Sequence, residues 1–236
     1  MNALKAAILA HEQDFVSALN ADFAHRSREE TLMFDVGSTL GTINYLLRHL
    51  SRWMRPEPCD VALIFQPSTN RVVYQPLGVV GVVSPWNYPV GLALIPLATA
   101  LAASNRVMLK PSELVPATSE LLVSVLAEAL QEDQVAVVTG DAKVGSAFSS
   151  LPFDHILFTG SIPVGRAIEI GSREAGASPQ SRLFLLVLLS GVTDAMDVMK
   201  DEIFGPILPI VPYRTLEEAV AYVGKVFDWL IRFTLR

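Results

Sequence analysis

The sequence predicts an α/β protein in which a doubly wound parallel sheet follows a helical N-terminal segment and a β-hairpin. After Pro76, short apolar runs alternate with stretches of helical periodicity, a texture that is typical of βαβ units. Before about Trp53, apolar residues instead recur at helical spacing. The chain has 236 residues, of which 51% are hydrophobic, so it can bury a sizeable core and is not expected to be disordered.

The first elements predicted are helices within residues 1–53 and a hairpin over about residues 61–74. Residues 61–65 and 71–74 are rich in β-forming side chains. The Pro-Ser-Thr-Asn cluster at residues 67–70 supplies the turn between them. This hairpin would separate the N-terminal helices from the sheet.

Four apolar runs predict the strands of the sheet, and the stretches between them predict its helices. The strands are placed at residues 79–83, 106–109, 135–138 and 156–158. The helices are placed at residues 90–103, 117–130 and 142–148, with another beginning near Pro163. Four strands with their crossovers amount to most of a nucleotide-binding sheet, and with the preceding segments they make a first region of residues 1–170.

A small, polar stretch at residues 171–182 contains Gly, Pro and Ser, and it predicts a junction. Beyond it, residues 183–223 contain two apolar runs and a helix that Thr215 and Glu218 begin as a capping box. The tail, residues 224–236, has no pattern that predicts a role.

Composition excludes several function classes. The net charge is −6 without a basic block, which argues against nucleic-acid binding. No apolar run reaches the roughly 20 residues needed to cross a bilayer, so no membrane association is expected. Four scattered histidines predict no metal site, and a single cysteine, Cys59, suits a reducing, cytoplasmic environment.

Two loops that follow predicted strands carry polar groups at the edge where open α/β sheets bind ligands. Asn87 lies between Pro85 and Pro89, and its amide could stabilise an oxyanion or merely satisfy backbone groups of the turn. Lys110 and Glu113 could bond ribose hydroxyls, or they could form a solvated charge pair at a helix start. The sequence alone leaves these alternatives open.

Two further segments are ambiguous in the same way. Residues 160–165, Gly-Ser-Ile-Pro-Val-Gly, join a strand to a helix, and their amides could receive a pyrophosphate or serve only as a connection. Residues 202–206, Glu-Ile-Phe-Gly-Pro, could be a plain turn before a strand.

Taken together, four motifs in this order resemble the aldehyde dehydrogenase superfamily. They are Pro-Trp-Asn-Tyr-Pro at 85–89, Leu-Lys-Pro-Ser-Glu at 109–113, Phe-Thr-Gly-Ser at 158–161 and Glu-Ile-Phe-Gly-Pro at 202–206. Residues 22–31 and 48–56 are most similar to coniferyl aldehyde dehydrogenases and their short, class-three-like relatives.

The resemblance implies NAD as cofactor, with NADP as the alternative, and an aldehyde as substrate. The positions that match cofactor contacts are Ser84, Pro85, Trp86, Lys110, Ser112, Glu113, Gly160, Ser161, Gly165, Glu202 and Phe204. Asn87 matches the asparagine that holds the oxyanion of the thiohemiacetal. A carboxylate at Glu113 would repel a 2′-phosphate, which favours NAD.

The resemblance also exposes a gap. Between the third and fourth motifs the family places its catalytic glutamate, its catalytic cysteine and most of its catalytic domain, yet about forty residues intervene here. Nothing around Cys59 resembles the catalytic-cysteine motif, so it is expected to be an ordinary linker cysteine. We therefore expect an internally deleted, C-terminally truncated chain with little or no turnover.

Two alternatives accompany that expectation. The chain could be a non-catalytic NAD-binding module that forms homo-oligomers, or hetero-oligomers with a full-length relative, through the hairpin. It could also be a remnant that folds poorly.

Overall fold

The computed structural model describes residues 1–174, 187–190 and 207–210, together with residues 215, 217, 218 and 221. The chain divides into two compact units, Met1–Leu185 and Leu186–Arg236. In the smaller unit, β7 (Val187–Ser190) and β8 (Ile207–Ile210) pair in parallel.

The larger unit contains the helical segment, the hairpin and the sheet. Its helices are α1 (Asn2–Ala10), α2 (Glu12–Phe23), α3 (Arg28–Glu30), α4 (Ser38–Trp53), α5 (Gly91–Ala102), α6 (Pro116–Ala129), α7 (Ala142–Ser149) and α8 (Ile162–Glu174). A π-helical segment, Thr31–Gly37, joins α3 to α4. Its strands are β1 (Glu57–Cys59), β2 (Asn70–Val72), β3 (Val79–Val83), β4 (Arg106–Lys110), β5 (Val135–Val137) and β6 (His155–Phe158).

The sheet confirms the predicted α/β class. Its four strands are parallel and lie in the order β5-β4-β3-β6. The chain therefore winds outward from β3 through β4 to β5, and then returns to add β6 on the other side of β3. This reversal makes the boundary between β3 and β6 the topological switch point, where open α/β sheets bind ligands.

Alternate residues of the strands face two apolar layers. Val80 and Val82 belong to a large core that includes residues of α5, α6 and the N-terminal helices. Val79 and Val83 pack against a smaller cluster, formed by Phe148, Phe153, Ile156, Phe158 and Ile168. In the outer layer, α1 and α2 contact α6, and α4 contacts α5. The N-terminal helices thus extend the core on one side of the sheet.

The start of α5 is capped by a residue far away in the sequence. Its own N-cap residue is Val90, which has no side-chain acceptor. The Asp35 Oδ1 atom, in the π-helical segment, accepts from the backbone amides of Val90 at 3.1 Å and of Gly91 at 2.8 Å. Asp35 is fully buried, and burial raises the pKa of its carboxyl although these amides and Arg26 oppose the shift.

The start of α6 is capped in the same manner. Its N-cap residue, Val115, offers no acceptor either, and Pro116 at the first helical position has no N–H. The Asp22 carboxylate at the end of α2 accepts from the amides of Ala117 and Thr118 and from the Thr118 hydroxyl, at 2.7–3.0 Å. Two carboxylates of the N-terminal segment therefore complete two helices of the sheet domain.

The hairpin exists, but the prediction of its first strand at residues 61–65 was wrong. Glu57–Cys59 pairs antiparallel with Asn70–Val72, and Leu63–Phe65 forms a short 3-10 helix. Leu63 is 88% exposed, so the apolar run faces no core that would favour an extended strand. Strand preference reflects packing on a half-buried surface, and that surface is lacking here.

The structure does not agree with the first part of the junction that was predicted at residues 171–182. Helix α8 continues to Glu174, so the first four residues of that stretch are helical, and the rest lies outside the described residues. In the smaller unit, the Glu218 amide donates to Thr215 Oγ1 at 3.2 Å, which is one half of the predicted capping box. The tail, residues 224–236, also lies outside the described residues.

Replacing Asp22 tests the remote cap of α6. Asp22→Ala should lower the free energy of unfolding by about 1–3 kcal/mol, because three donors lose their acceptor. Urea denaturation followed by circular dichroism measures the change. Asp60→Ala is the control, since Asp60 is exposed and accepts none of the hydrogen bonds of the described residues. A loss no larger than that of the control would contradict the assignment.

His11 predicts a pH-dependent contribution to stability. Its ring nitrogens lie 2.8 Å from Glu128 and 2.7 Å from Asp14, and these carboxylates raise the pKa of His11. A raised folded-state pKa stabilises the fold below the unfolded value of about 6.5, and this stabilisation disappears as pH rises through the folded value. His11→Gln should therefore cost more stability near pH ~6 than near pH ~9.

Urea denaturation at the two pH values measures this difference, with the exposed His25 replaced by Gln as the control. An equal loss at both pH values would show that the protonated ring does not link α1 and α2 to α6.

Candidate functional site

Three loops begin side by side at the carboxyl edge of the sheet. Val83 and Phe158, the last residues of β3 and β6, are register partners. Just beyond them, the Thr159 amide donates to the Val83 carbonyl at 3.2 Å, and the Ser84 amide donates to the Lys110 carbonyl at 3.1 Å. Three of the four segments that were predicted from sequence to bind a ligand are thus adjacent, at the switch point.

Ser84 brings an unsatisfied polar group to this point. Its side chain is 4% exposed, and its Oγ atom is buried without a hydrogen-bond partner among the described residues. Buried hydroxyls nearly always have a partner, because an unpaired one loses its hydration without compensation. A polar group of a ligand, or an ordered water, would satisfy it.

Asn87 has a fixed backbone and an available side chain. Its carbonyl oxygen accepts from Arg26 Nη1 at 2.6 Å, whereas its side-chain amide takes part in none of the hydrogen bonds of the described residues. The residue is exposed. The arrangement disfavours the alternative in which the Asn87 amide only satisfies backbone groups of the turn.

Arg26 lies at the centre of the contacts around this loop. Its guanidinium lies 4.5 Å from the ring centroid of Tyr88 and 5.1 Å from that of Phe23. Phe23 also contacts Trp86, with 6.3 Å between ring centroids, and the Tyr88 hydroxyl donates to Glu30 at 3.3 Å. Sequence reasoning missed these contacts of Arg26. The signal that could have revealed them is Asp35, an acidic residue within an apolar helical stretch, to which Arg26 also donates a hydrogen bond.

Lys110 and Glu113 form an ion pair next to the second loop. The Lys110 Nζ atom donates to Glu113 Oε2 at 2.9 Å and to the Pro111 carbonyl at 3.1 Å. Lys110 is 3% exposed, but the Glu113 side chain is 43% exposed, so the pair is buried at its lysine end and meets solvent at its carboxylate end. The Glu113 backbone amide and the Lys110 ammonium hold the pKa of the Glu113 carboxyl below its usual range.

A cleft of about 240 Å³ opens beside this pair. It is lined by Pro111, Ser112, Glu113, Pro116, Ser119, Glu120, Thr139 and Gly140. Two other cavities are larger. One, of about 610 Å³, is lined by residues of α6 and β5, and the other, of about 460 Å³, is lined mainly by residues of α4, of α5 and of the segment before β3. Neither is lined by the loops that follow β3, β4 and β6, so of these three cavities of the described residues the smaller cleft belongs to the site.

The helices that follow the strands differ at their N-termini. Carboxylates occupy the first amides of α5 and α6, and Asp141 caps α7 by accepting from the amides of Lys143 and Val144. Among the described residues, no carboxylate bonds to the first amides of α8. The start of α8 is therefore the helix end that leaves its amides open to an anion.

Gly160, at the turn into α8, allows a close approach of the backbone. A Cβ atom there would lie 2.5 Å from Phe158 Cζ, closer than real Cβ atoms come to other atoms. Ser161 is exposed and Gly165 is buried in the first turns of α8. A bare backbone at a helix start suits a phosphate group, which needs amide donors without a side chain between them.

The remaining residues that the sequence singled out are Glu202, Phe204 and Cys59. Glu202 and Phe204 lie outside the described residues. Cys59 is exposed on β1, in the hairpin and not at the carboxyl edge of the sheet.

In the described part of the chain, no group of three or more His, Cys, Asp or Glu could hold a metal ion, and no helix is long and apolar enough to span a bilayer.

Comparison with known proteins agrees with this arrangement. The model of the Aldehyde dehydrogenase family matches residues 1–183 and 169–226. The chain is 34% identical over 332 positions to a probable coniferyl aldehyde dehydrogenase of Pseudomonas aeruginosa, covering 95% of this chain and 70% of that protein. It is 45% identical over 163 residues to the coniferyl aldehyde dehydrogenase of a Pseudomonas species, strain HR199, covering 69% of this chain and 34% of that protein.

A structural relative shows the same fold. The substrate-bound structure of Staphylococcus aureus AldH superposes with a TM-score of 0.73 at 22% identity, covering 95% of this chain and 72% of that one. The chain thus spans between about a third and 70% of the length of the curated relatives named above.

The alignment with the P. aeruginosa protein also shows that this chain lacks residues that the relative has. It runs over 332 positions, whereas the whole chain has 236 residues, so the P. aeruginosa protein contains residues inside the matched range that have no counterpart here. The family model matches in two segments, of which the first contains the motifs at 85–89, 109–113 and 158–161 and the second contains the motif at 202–206. Sequence motifs, sheet topology and both matches lead to one conclusion, that this chain belongs to the aldehyde dehydrogenase family.

Proposed function

We propose that this chain is a nucleotide-binding aldehyde dehydrogenase relative that holds NAD at the carboxyl edge of its sheet and catalyses little or no aldehyde oxidation. The observation that carries the proposal is the convergence of three loops at the switch point. Beside them lie the buried Ser84 hydroxyl, which has no partner among the described residues, and the start of α8, whose first amides bond to no described carboxylate. Together they supply polar contacts and an anion-binding helix end.

Different residues of the proposed site would bind different parts of the cofactor. Lys110 and Glu113 would bond the adenosine ribose, with Ser112 beside them in the cleft. Gly160 and Ser161 at the start of α8 would receive the pyrophosphate, with Gly165 packed beneath.

The remaining cofactor contacts belong to the first and the fourth motif. Ser84, Pro85 and Trp86 would line the crevice between β3 and β6. Glu202 and Phe204 are proposed for the nicotinamide end. When bound, NAD would supply the hydride acceptor.

Charge favours NAD over NADP. The Glu113 backbone amide and Lys110 lower the pKa of the Glu113 carboxyl further below neutral pH, which favours its charged form. Glu120 lines the same cleft and adds a second carboxylate. A 2′-phosphate would face two negative groups, and repulsion between like charges in a partly buried cleft weakens binding.

The expectation of low turnover follows from the lack of a cysteine nucleophile at the proposed site. The family's chemistry needs a thiolate that attacks the aldehyde, and the sequence contains one cysteine. That cysteine, Cys59, is on the exposed hairpin. Asn87 retains a free amide that could hold an oxyanion, but an oxyanion contact without a nucleophile leaves the covalent route closed. An aromatic or long-chain aldehyde would be the substrate by descent.

One observation favours a second candidate, an oligomerising role without catalysis. The segment from the 3-10 helix to the start of β3 exposes a run of large apolar side chains, Leu63, Ile64, Phe65, Val73, Tyr74 and Leu77. An exposed apolar patch is typical of a protein-interaction surface. Pairing with another copy or with a full-length relative would cover it. A cytoplasmic location stays a prediction from the sequence.

An NADH titration tests the proposed site. Binding enhances the fluorescence of NADH, and the purified chain should bind it saturably. Lys110→Ala and Glu113→Ala should each raise the Kd about tenfold, the effect of losing a hydrogen bond that involves a charged group. Glu113→Gln should also reduce the preference for NADH over NADPH.

Lys5→Ala in α1 and Glu132→Ala after α6 provide matched controls of the same charge, and they should bind NADH like the parent. Far-UV circular dichroism confirms that each variant folds. A folded parent chain that binds no NADH would rule out the proposed site, and equal Kd values for all variants would place binding elsewhere.

Turnover is expected to be absent or very slow. With coniferyl aldehyde and NAD, the purified chain should form NADH no faster than its Cys59→Ser variant, because Cys59 is not at the site. Absorbance at the NADH band measures the rate. NADH production at enzyme-like rates of about 1 per second or more that is lost in Cys59→Ser would overturn this expectation.

A further inference from the structure

Beyond the contacts proposed for the cofactor and the oxyanion, a buried arginine controls the loop between them. We infer that Arg26 is a positioning residue for Asn87, acting through the Asn87 carbonyl and through Asp35. The inference deepens the proposed function, because it rests on Asn87 serving as the oxyanion contact. Arg26 itself touches neither cofactor nor substrate in this scheme.

The geometry of Arg26 fixes the loop at one end. Nη1 donates to the Asn87 carbonyl at 2.6 Å, and Nη2 donates to Asp35 Oδ2 at 2.8 Å. The arginine side chain is 5% exposed, so water competes little for these bonds. Two terminal nitrogens of one rigid group therefore join the peptide after Asn87 to a carboxylate of the N-terminal segment.

The same carboxylate fixes the loop at its other end. The second oxygen of Asp35 accepts from the amides of Val90 and Gly91, at the start of α5. The chain from Asn87 to Gly91 is thus held at both ends by one charge pair. Pro89 lies between the two attachment points and restricts rotation there further.

Two aromatic rings contact the guanidinium. Arg26 Cζ lies over the rings of Phe23 and Tyr88, at 5.1 and 4.5 Å from their centroids. Tyr88 follows Asn87 directly, so one loop residue accepts a hydrogen bond from Arg26 and its neighbour packs on the same group. Planar stacking is a property of arginine that lysine lacks.

The consequence concerns the Asn87 side chain. Its amide makes no hydrogen bond with the described residues, so Arg26 acts on it only through the backbone. A backbone held by Arg26 fixes the point from which the side chain extends, which restricts the positions that the amide can reach to those of a few rotamers. A donor whose attachment point is fixed needs less reorganisation when negative charge develops during reaction.

Arg26 also carries a cost that a simple structural pair would avoid. Its Nε atom is buried without a partner among the described residues. Unpaired buried donors are uncommon and call for an explanation. Retaining the guanidinium despite this donor agrees with a need for its fork, which reaches Asn87 and Asp35 at once.

Three substitutions at position 26 separate positioning from packing. Arg26→Lys keeps a charge next to Asp35 but offers no planar fork for both acceptors. Arg26→Gln removes the charge. Arg26→Met combined with Asp35→Asn removes both charges and leaves an amide oxygen to cap α5, which keeps a folded variant available. Arg28→Gln is the matched control, because Arg28 is exposed two residues away.

The readout is nuclear magnetic resonance of the ¹⁵N-labelled chain, with the Asn87 side-chain signals assigned by their loss in Asn87→Asp. The backbone order parameters of Asn87 and Tyr88 should fall from about 0.85 to below about 0.6 in the three Arg26 variants. The Asn87 side-chain signals should shift as well. Arg28→Gln should match the parent, and Arg26→Lys should retain the parent's melting temperature within a few degrees.

Each result decides the matter. Folded Arg26→Lys and double variants with parent-like order parameters at Asn87 and Tyr88 would overturn the inference and leave Arg26 a packing residue. Reduced order parameters support it, whether or not the chain binds NADH. An NADH titration of the parent then tests the proposed function separately, so failure of one claim is distinguishable from failure of the other.

Discussion

The buried pair of Arg26 and Asp35 is the interaction on which the site depends. Asp35 is completely buried, and it accepts a hydrogen bond from the amide of Val90, 55 positions away in the sequence. Burial opposes the charged form of its carboxyl, and two amides and the guanidinium oppose that effect. Removing one partner of such a pair typically costs about 3–5 kcal/mol, because the other charge is left uncompensated. On the proposed assignment of the site, the N-terminal helices are therefore part of it and not only a cover for the sheet.

The regular elements were predictable from the sequence because each has a local signal. The strands of the sheet are short apolar runs buried on both faces, and the observed bounds differ from the predicted ones by at most one residue. The hairpin was predicted less well. Residues 61–65 have the composition of a strand, but they are exposed, and composition predicts a strand only where a surface buries it.

The remote caps could not be predicted, because they join residues that no local pattern connects. Asp35 bonds Gly91 across 56 positions, and Asp22 bonds Thr118 across 96. The sequence shows only their counterpart, the absence of a capping side chain at Val90 and Val115. The placement of Asn87, Lys110 and Gly160 at one edge was foreseeable, since loops after parallel strands share an edge. The burial of Lys110 and the unbonded side-chain amide of Asn87 were not foreseeable, because they depend on residues far away in the sequence.

The most direct test of the account is to locate NAD on the chain by nuclear magnetic resonance. Adding NAD to the ¹⁵N-labelled protein should shift the amide signals of residues 84–87, 110–113 and 159–165, and leave those of the hairpin unchanged. Shifts confined to the cavity between α4 and α5, or no shifts in a folded chain, would contradict the claim that the carboxyl edge of the sheet binds the nucleotide.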